Sequence, residues 1–134
     1  MALPVVVQPD VELWATTWLR EALAGRVEPY AVDVYVSNTV PTQRRDRMVV
    51  VRRDGGLRTD MLREVARLSV RTWGKTDQEA SDLARLVGAL LWSAPTGDPV
   101  VRVTQPAGNT PVADPSGQPL RYQTFEVTTR GQQV

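Results

Sequence analysis

The clearest change of pattern in the chain is a period of two that gives way to a helical period. Between residues 67 and 73 polar and apolar side chains alternate, as in a strand whose two faces meet different environments. Gly74 ends the alternation. Thr76 and Glu79 then form a Ser/Thr-x-x-Glu capping box, in which each side chain satisfies a free backbone N–H group. The pattern predicts a strand followed by a helix that begins at about Asp77.

Two segments have the i, i+3, i+4 spacing of apolar residues that is typical of an amphipathic helix. The first can be capped by Asp10 and ends at Gly25, and the second runs from the capping box to about Trp92, before Pro95. The apolar positions of the first are Val11, Trp14, Ala15, Trp18, Leu19, Ala22 and Leu23. Those of the second are Ala80, Leu83, Ala84, Val87, Leu90 and Leu91. Trp14 and Trp18 lie one turn apart, and we expect them in the core or against a neighbouring subunit.

Five segments have the pattern of strands, at residues 32–37, 48–52, 65–73, 100–104 and 120–129. Asp54-Gly55-Gly56 predicts a hairpin turn, because Asp and Gly tolerate positive φ. The first two strands are joined by a polar, Arg-rich connection at residues 38–47, and the last two by a polar loop at residues 104–119. Both connections are long for hairpin loops, so we expect them to project from the domain.

Residues 60–68 also fit helical spacing, so a helix is an alternative to the start of the third strand there. We favour the strand from Val65 onward. The predicted order is then helix, three strands, helix, two strands. This order describes an α+β fold with a mostly antiparallel five-stranded sheet and both helices on one face. A chain of 134 residues is expected to form one domain over residues 1–134.

The composition excludes several kinds of chemistry. The chain has no cysteine and no histidine, which removes disulfides, thiolate nucleophiles, Cys/His zinc sites and the commonest general base. Neither of the common glycine-rich phosphate-binding motifs occurs. Asp77, Glu79 and Asp82 are interpreted as favourable charges at a helix N-terminus. No apolar run approaches the roughly 20 residues of a membrane span, and no signal peptide is recognisable, so we expect a soluble intracellular protein. No catalytic, cofactor-binding or metal-binding residue is predicted.

Positive charge is concentrated in one part of the chain. The totals are nearly balanced, at 16 basic and 15 acidic residues, but residues 44–71 contain nine arginines and four acids. The candidate interaction residues are Arg44, Arg45, Arg47, Arg52 and Arg53. Contact with nucleic acid or an acidic protein is one interpretation, and a solvated hairpin is the other and the favoured one. The same stretch lacks aromatic residues, which disfavours single-strand binding by base stacking.

Several segments, in their order along the chain, resemble the tail terminator proteins of long-tailed phages that infect actinobacteria. They are the Asp-Gly-Gly segment after a Val-rich strand and residues 66–74 (ARLSVRTWG), 76–80 (TDQEA), 83–87 (LARLV) and 111–122 (PVADPSGQPLRY). The resemblance covers most of the chain. It implies a small α+β domain that forms a six-fold ring on the end of the tail tube and stops tube polymerisation.

The same resemblance implies the partners and the location. The expected partners are further copies of the chain, the major tail tube protein and a head-completion (connector) protein, while DNA passes through the ring without specific recognition. Neither enzymatic activity, a cofactor nor a membrane is implied. The protein is expected at the head-proximal end of the virion tail, and in the host cytoplasm during assembly.

The residues independently favour a closed assembly. Apolar runs at residues 2–7 and 48–51 are expected to form sheet edges, which ring closure would cover. One of the two long connections is expected to face the lumen or the tube. Two other classes stay open: a different phage connector, stopper or tail-tube protein, and a basic nucleic-acid-binding adaptor. Gene order would distinguish the first, and the salt dependence of DNA binding the second.

Overall fold

The fold is an α+β arrangement of two helices and a mostly antiparallel five-stranded sheet, as the sequence predicts. A computed structural model of the chain describes residues 3–134. The helices are α1, Val11–Ala24, and α2, Asp77–Trp92, with a 3-10 turn at Pro29–Ala31. The strands are β1, Val6–Val7; β2, Tyr35–Ser37; β3, Met48–Arg58; β4, Arg63–Trp73; β5, Val100–Val112; β6, Leu120–Arg130; and β7, Gln132–Gln133.

The main sheet has the strand order β2-β3-β4-β6-β5. Its pairs are antiparallel except β2 with β3, which are parallel. The connection at residues 38–47 returns the chain to the end of the sheet at which β2 begins, so that β3 runs in the same direction as β2. β1 and β7 form a separate antiparallel pair that holds the two ends of the described chain together. The edges of the main sheet are therefore the short β2 and the long β5.

Both helices pack on the same face of the sheet. There they bury an apolar core together with alternate residues of the central strands, as expected for a half-covered sheet. The largest fully buried side chains of this core are Phe125, Leu19, Leu68, Leu83 and Leu91. The opposite face has no helix over it within residues 3–134. It carries a smaller apolar cluster of Met48, Val50, Trp73 and Leu120, against which Tyr35 and Val40 pack.

The predicted start of α2 is confirmed. The hydroxyl of Thr76 accepts from the backbone N–H of Glu79 at 3.1 Å, and the Glu79 carboxylate accepts from the N–H of Lys75, also at 3.1 Å. Strand and helix approach closely here, since a Cβ on Gly74 would lie 2.5 Å from the backbone nitrogen of Ala80. Asp10 likewise caps α1, as predicted.

The predicted hairpin turn at Asp54-Gly55-Gly56 is wrong. These residues lie inside β3, where the pairing with β4 shifts register between Arg53 and Gly56, and both glycines have positive φ. A β-bulge can require a residue with positive φ, just as a hairpin turn can. The chain instead reverses between Arg58 and Arg63, where one Asp60 oxygen accepts from two backbone N–H groups. β4 starts at Arg63, which excludes the alternative helix at residues 60–68.

The limits of three other predicted segments also change. The strand expected from residue 32 begins at Tyr35, because the 3-10 turn and the positive φ of Asp33 occupy the preceding backbone. β5 continues to Val112, so the connecting loop is only residues 113–119. An edge strand tolerates the missing N–H of proline and shifts of register, and β5 has both.

The predicted edges also differ from those observed. Residues 48–51 are not a free edge, because β2 and β4 flank them. Of residues 2–7, Ala2 lies outside the described chain, whereas Val6 and Val7 pair with β7.

Candidate interaction surface

The two connections expected to project are bound to each other at one end of the sheet, in an arrangement we call the loop junction (residues 38–47 and 113–119). Asp114 is its centre: the carboxylate accepts from the guanidinium of Arg44 at 2.6 Å and from the indole N–H of Trp73 at 2.7 Å. Arg44 also donates to Gln118 at 2.6 Å, and Gln118 donates to the carbonyl of Arg45 at 3.0 Å. Neither loop is a free arm.

These contacts stabilise the ionised form of Asp114. Burial alone would raise its pKa, but the hydrogen bonds from Trp73 and Ser116 and the charge of Arg44 outweigh burial, so the pKa lies below its usual range. The guanidinium of Arg44 also lies 5.7 Å from the centroid of the Trp73 ring, within cation–π range. The loop junction is therefore a connected polar network over a buried indole.

All five candidate arginines have carboxylate partners. Arg44 pairs with Asp114, Arg45 with Asp33, Arg47 with Glu79, Arg52 with Glu12 and Arg53 with Glu64. Four of these carboxylates lie outside residues 44–71, so the fold neutralises most of the positive excess that the sequence suggests.

Arg47 is the most deeply placed of the five. Its guanidinium contacts the Glu79 carboxylate at 2.7 Å and donates to the carbonyl of Val32 at 2.9 Å. The contact with Arg47 outweighs burial and holds the pKa of Glu79 below its usual range. The pair fastens the Arg-rich connection to the first turn of α2. Reversing the charge of Arg47 would disturb packing as well as any docking.

A cleft on the helix-free face of the sheet adjoins the loop junction. This sheet cleft has a volume of about 570 Å³, and its lining includes Val40, Arg71, Trp73, Val112, Leu120 and Tyr122. Within residues 3–134, Arg71 is exposed and makes no ion pair. The cleft therefore combines an apolar floor with an available positive charge. Sequence reasoning placed Arg71 only within the general arginine excess.

The outer face of α1 carries a second apolar surface, which we call the helix patch (Leu13, Trp14, Thr17 and Trp18, with Asp10 and Glu21 at its rim). Leu13 is 62% exposed, whereas both tryptophans are half-buried. The indole N–H of Trp18 donates to the carbonyl of Leu90 at 3.1 Å, which fixes that ring against α2. The patch is thus an apolar surface in which one ring is held in place by a hydrogen bond, with acidic residues at its edge.

No group of three or more acidic side chains within residues 3–134 is arranged to hold a metal ion. Over the same residues, neither helix has the length and apolar character needed to cross a bilayer. Compared with known proteins, the chain matches no protein-family model and shows no significant similarity to any curated protein.

Proposed function

We propose that this protein is a structural, non-enzymatic subunit of a ring that caps a phage tail tube, stops its polymerisation and offers a docking surface to the head-completion protein. The class comes from the ordered resemblance of segments 66–74, 76–80, 83–87 and 111–122 to tail terminator proteins. The α+β fold is compatible with this class.

One structural observation supports the assembly of several copies into a ring. The helix patch lies on the helical side of the sheet and the sheet cleft on the opposite side, so each subunit has two different apolar surfaces. A head-to-tail ring needs two different surfaces on every subunit, whereas a two-fold dimer needs only one that matches itself. Two unlike surfaces therefore support head-to-tail association, which closes into a ring when the rotation between neighbours divides the circle.

The loop junction supports the docking role. Its side chains are fixed by hydrogen bonds between loops about 70 residues apart in sequence, such as Arg44 with Asp114. Surfaces held in their bound conformation lose little entropy on association. The pairing of all five candidate arginines with carboxylates favours a protein partner over a nucleic acid, because it leaves less free positive charge for phosphates.

The proposal predicts tail length. Inactivating the gene in its phage should leave head assembly and DNA packaging intact, while tail tubes grow past normal length and fail to join heads. Electron micrographs of the lysate measure both outcomes, and the wild-type gene supplied in trans is the control. Tails of normal length joined to filled heads would contradict the proposal. Normal-length tails lying free beside filled heads would instead indicate a connector that acts only in joining.

Assembly can be observed separately. Purified protein mixed with isolated tail tubes should form a closed six-fold ring at one tube end in negative stain. Tubes are needed because some rings of this type form only on the tube. An open polymer, or a stable two-fold dimer under all conditions, would argue against a cap.

A further inference from the structure

We propose that the helix patch of one copy docks into the sheet cleft of the next copy, with Leu13 entering the cleft. This pairing rests on the ring proposed above and names the two surfaces that would close it. The occupant of the cleft is thus a second copy of this chain.

Charge complementarity is the first argument. The rim of the helix patch contributes Asp10 and Glu21 and no basic residue. The cleft contributes Arg71, while its other arginine, Arg44, is already paired with Asp114. An acidic rim therefore meets a positive charge that has no carboxylate partner within residues 3–134. Complementary charges of this kind select the partner and fix its orientation.

Shape and apolar character are the second argument. Leu13 projects from α1 beside two half-buried indoles, whereas the cleft is a concave surface floored by Trp73 and Leu120. Aromatic residues are enriched at interface hot spots, and both surfaces contain them: Trp14 and Trp18 in the patch and Trp73 in the cleft. Because α1 lies across the sheet from the cleft, the patch cannot enter the cleft of its own copy, so this contact can form only between copies.

The size of the two surfaces predicts weak association of free copies. A stable interface buries about 800 Å² per partner, and a large aromatic residue contributes about 150–250 Å². One small patch centred on Leu13 and two indoles supplies only part of that area. The pairing is therefore expected to be weak between free copies and to be strengthened when a tube holds several copies side by side.

The chain has no cysteine, so engineered thiols can test the contact directly. Leu13→Cys and Val112→Cys proteins are mixed under mild oxidation at a protein concentration high enough to populate a weak contact. The mixture should yield about tenfold more disulfide-linked dimer than either protein alone, because docking raises the effective concentration of the two thiols. Val27→Cys mixed with Val112→Cys is the matched control, since Val27 is 90% exposed and outside both surfaces. Equal yields in the two mixtures, or dimers formed mainly by Leu13→Cys alone, would overturn the pairing.

A charge exchange gives a second, independent test. Glu21→Arg and Arg71→Glu should each weaken self-association on tubes, and mixing the two proteins should restore it, because each substituted surface then faces its complement. Leu13→Asp should weaken association about thirty-fold, because a carboxylate would then be buried against the apolar floor of the cleft, whereas Val27→Asp should leave it unchanged. Failure of the mixture to recover, with both proteins folded, would overturn the pairing.

These tests separate the pairing from the function. Thiol linkage reports only contact between copies, whereas tail length reports only capping. Overlong tails in the gene-inactivated phage together with no Leu13–Val112 linkage would refute the pairing and leave the cap in place. Linkage together with normal joined tails would support the pairing and refute the cap.

Discussion

Removing the carboxylate of Asp114 should break the hydrogen bonds at the centre of the loop junction and destabilise the fold. Asp114→Ala leaves the indole N–H of Trp73, a residue only 2% exposed, without its acceptor, and an unsatisfied buried donor costs about 1–3 kcal/mol. The ion pair with Arg44 adds no more than about 1 kcal/mol, because the Arg44 side chain is 35% exposed and solvent screens the pair. We therefore expect the free energy of unfolding to fall by about 1–4 kcal/mol.

Equilibrium urea denaturation followed by circular dichroism measures this change. Arg44→Ala is the matched control, because it leaves the Trp73 hydrogen bond in place. It removes the ion pair, the hydrogen bond to Gln118 and the contact with the Trp73 ring, all made by a partly exposed side chain, and it should cost about 1 kcal/mol. The double variant completes a cycle that isolates the coupling between the two residues. A loss for Asp114→Ala no larger than that for Arg44→Ala would refute the view that the buried indole dominates.

The pH dependence gives a second check on the same carboxylate. The folded pKa of Asp114 lies below its unfolded value of roughly 4, so its contribution is complete above that pH and is lost as pH falls through the folded pKa. The difference in unfolding free energy between wild type and Asp114→Asn should therefore shrink on acidification from neutral pH. A difference that stays constant or grows as the pH falls would show that the charge of Asp114 does not stabilise the fold.

Two further predictions concern packing, both measured by urea denaturation. Leu83→Ala should cost about 2–5 kcal/mol because Leu83 is fully buried, whereas Arg85→Ala on the exposed side of α2 should cost no more than about 0.5 kcal/mol; the reverse order would disprove the helical register. Gly74→Ala should cost about 1–3 kcal/mol because the new Cβ would clash with the backbone at Ala80, whereas Gly108→Ala, with open space around it, should be close to neutral, and equal effects would refute the close approach.

The two helices and the order of helices and strands along the chain could be predicted, because the sequence signals for them are local. Caps at Asp10 and Thr76, apolar spacing along α1 and α2, and alternation along β4 each lie within a few residues of one another. The prediction of a hairpin turn at the Asp-Gly-Gly segment is wrong because residues with positive φ occur in both turns and β-bulges. Only the pairing with β4, which the segment itself does not encode, distinguishes the two.

The length of β5 and the partners of the arginines depend on distant residues. Pro106 and Pro111 look like loop residues in sequence, and they are accommodated because β5 is the sheet edge. Arg44 meets Asp114 only because the loops that follow β2 and β5 come together at the same end of the sheet. No spacing in the sequence brings such residues together, so the arginine cluster was recognised but its neutralisation was not.

The pairing of β1 with β7 brings the first and last described segments of the chain together. The N–H of Val134 donates to the carbonyl of Val5 at 2.9 Å, and Gln8 and Gly131 both bond to the carbonyl of Leu62 at the far end of the β3–β4 hairpin. β4 runs eleven residues from that end to the loop junction, about 35 Å of extended strand. Labels attached at Val5 and at Val134 would therefore lie side by side and far from the loop junction. A circular permutant that joins Val5 to Val134 by a short linker would leave the sheet order unchanged.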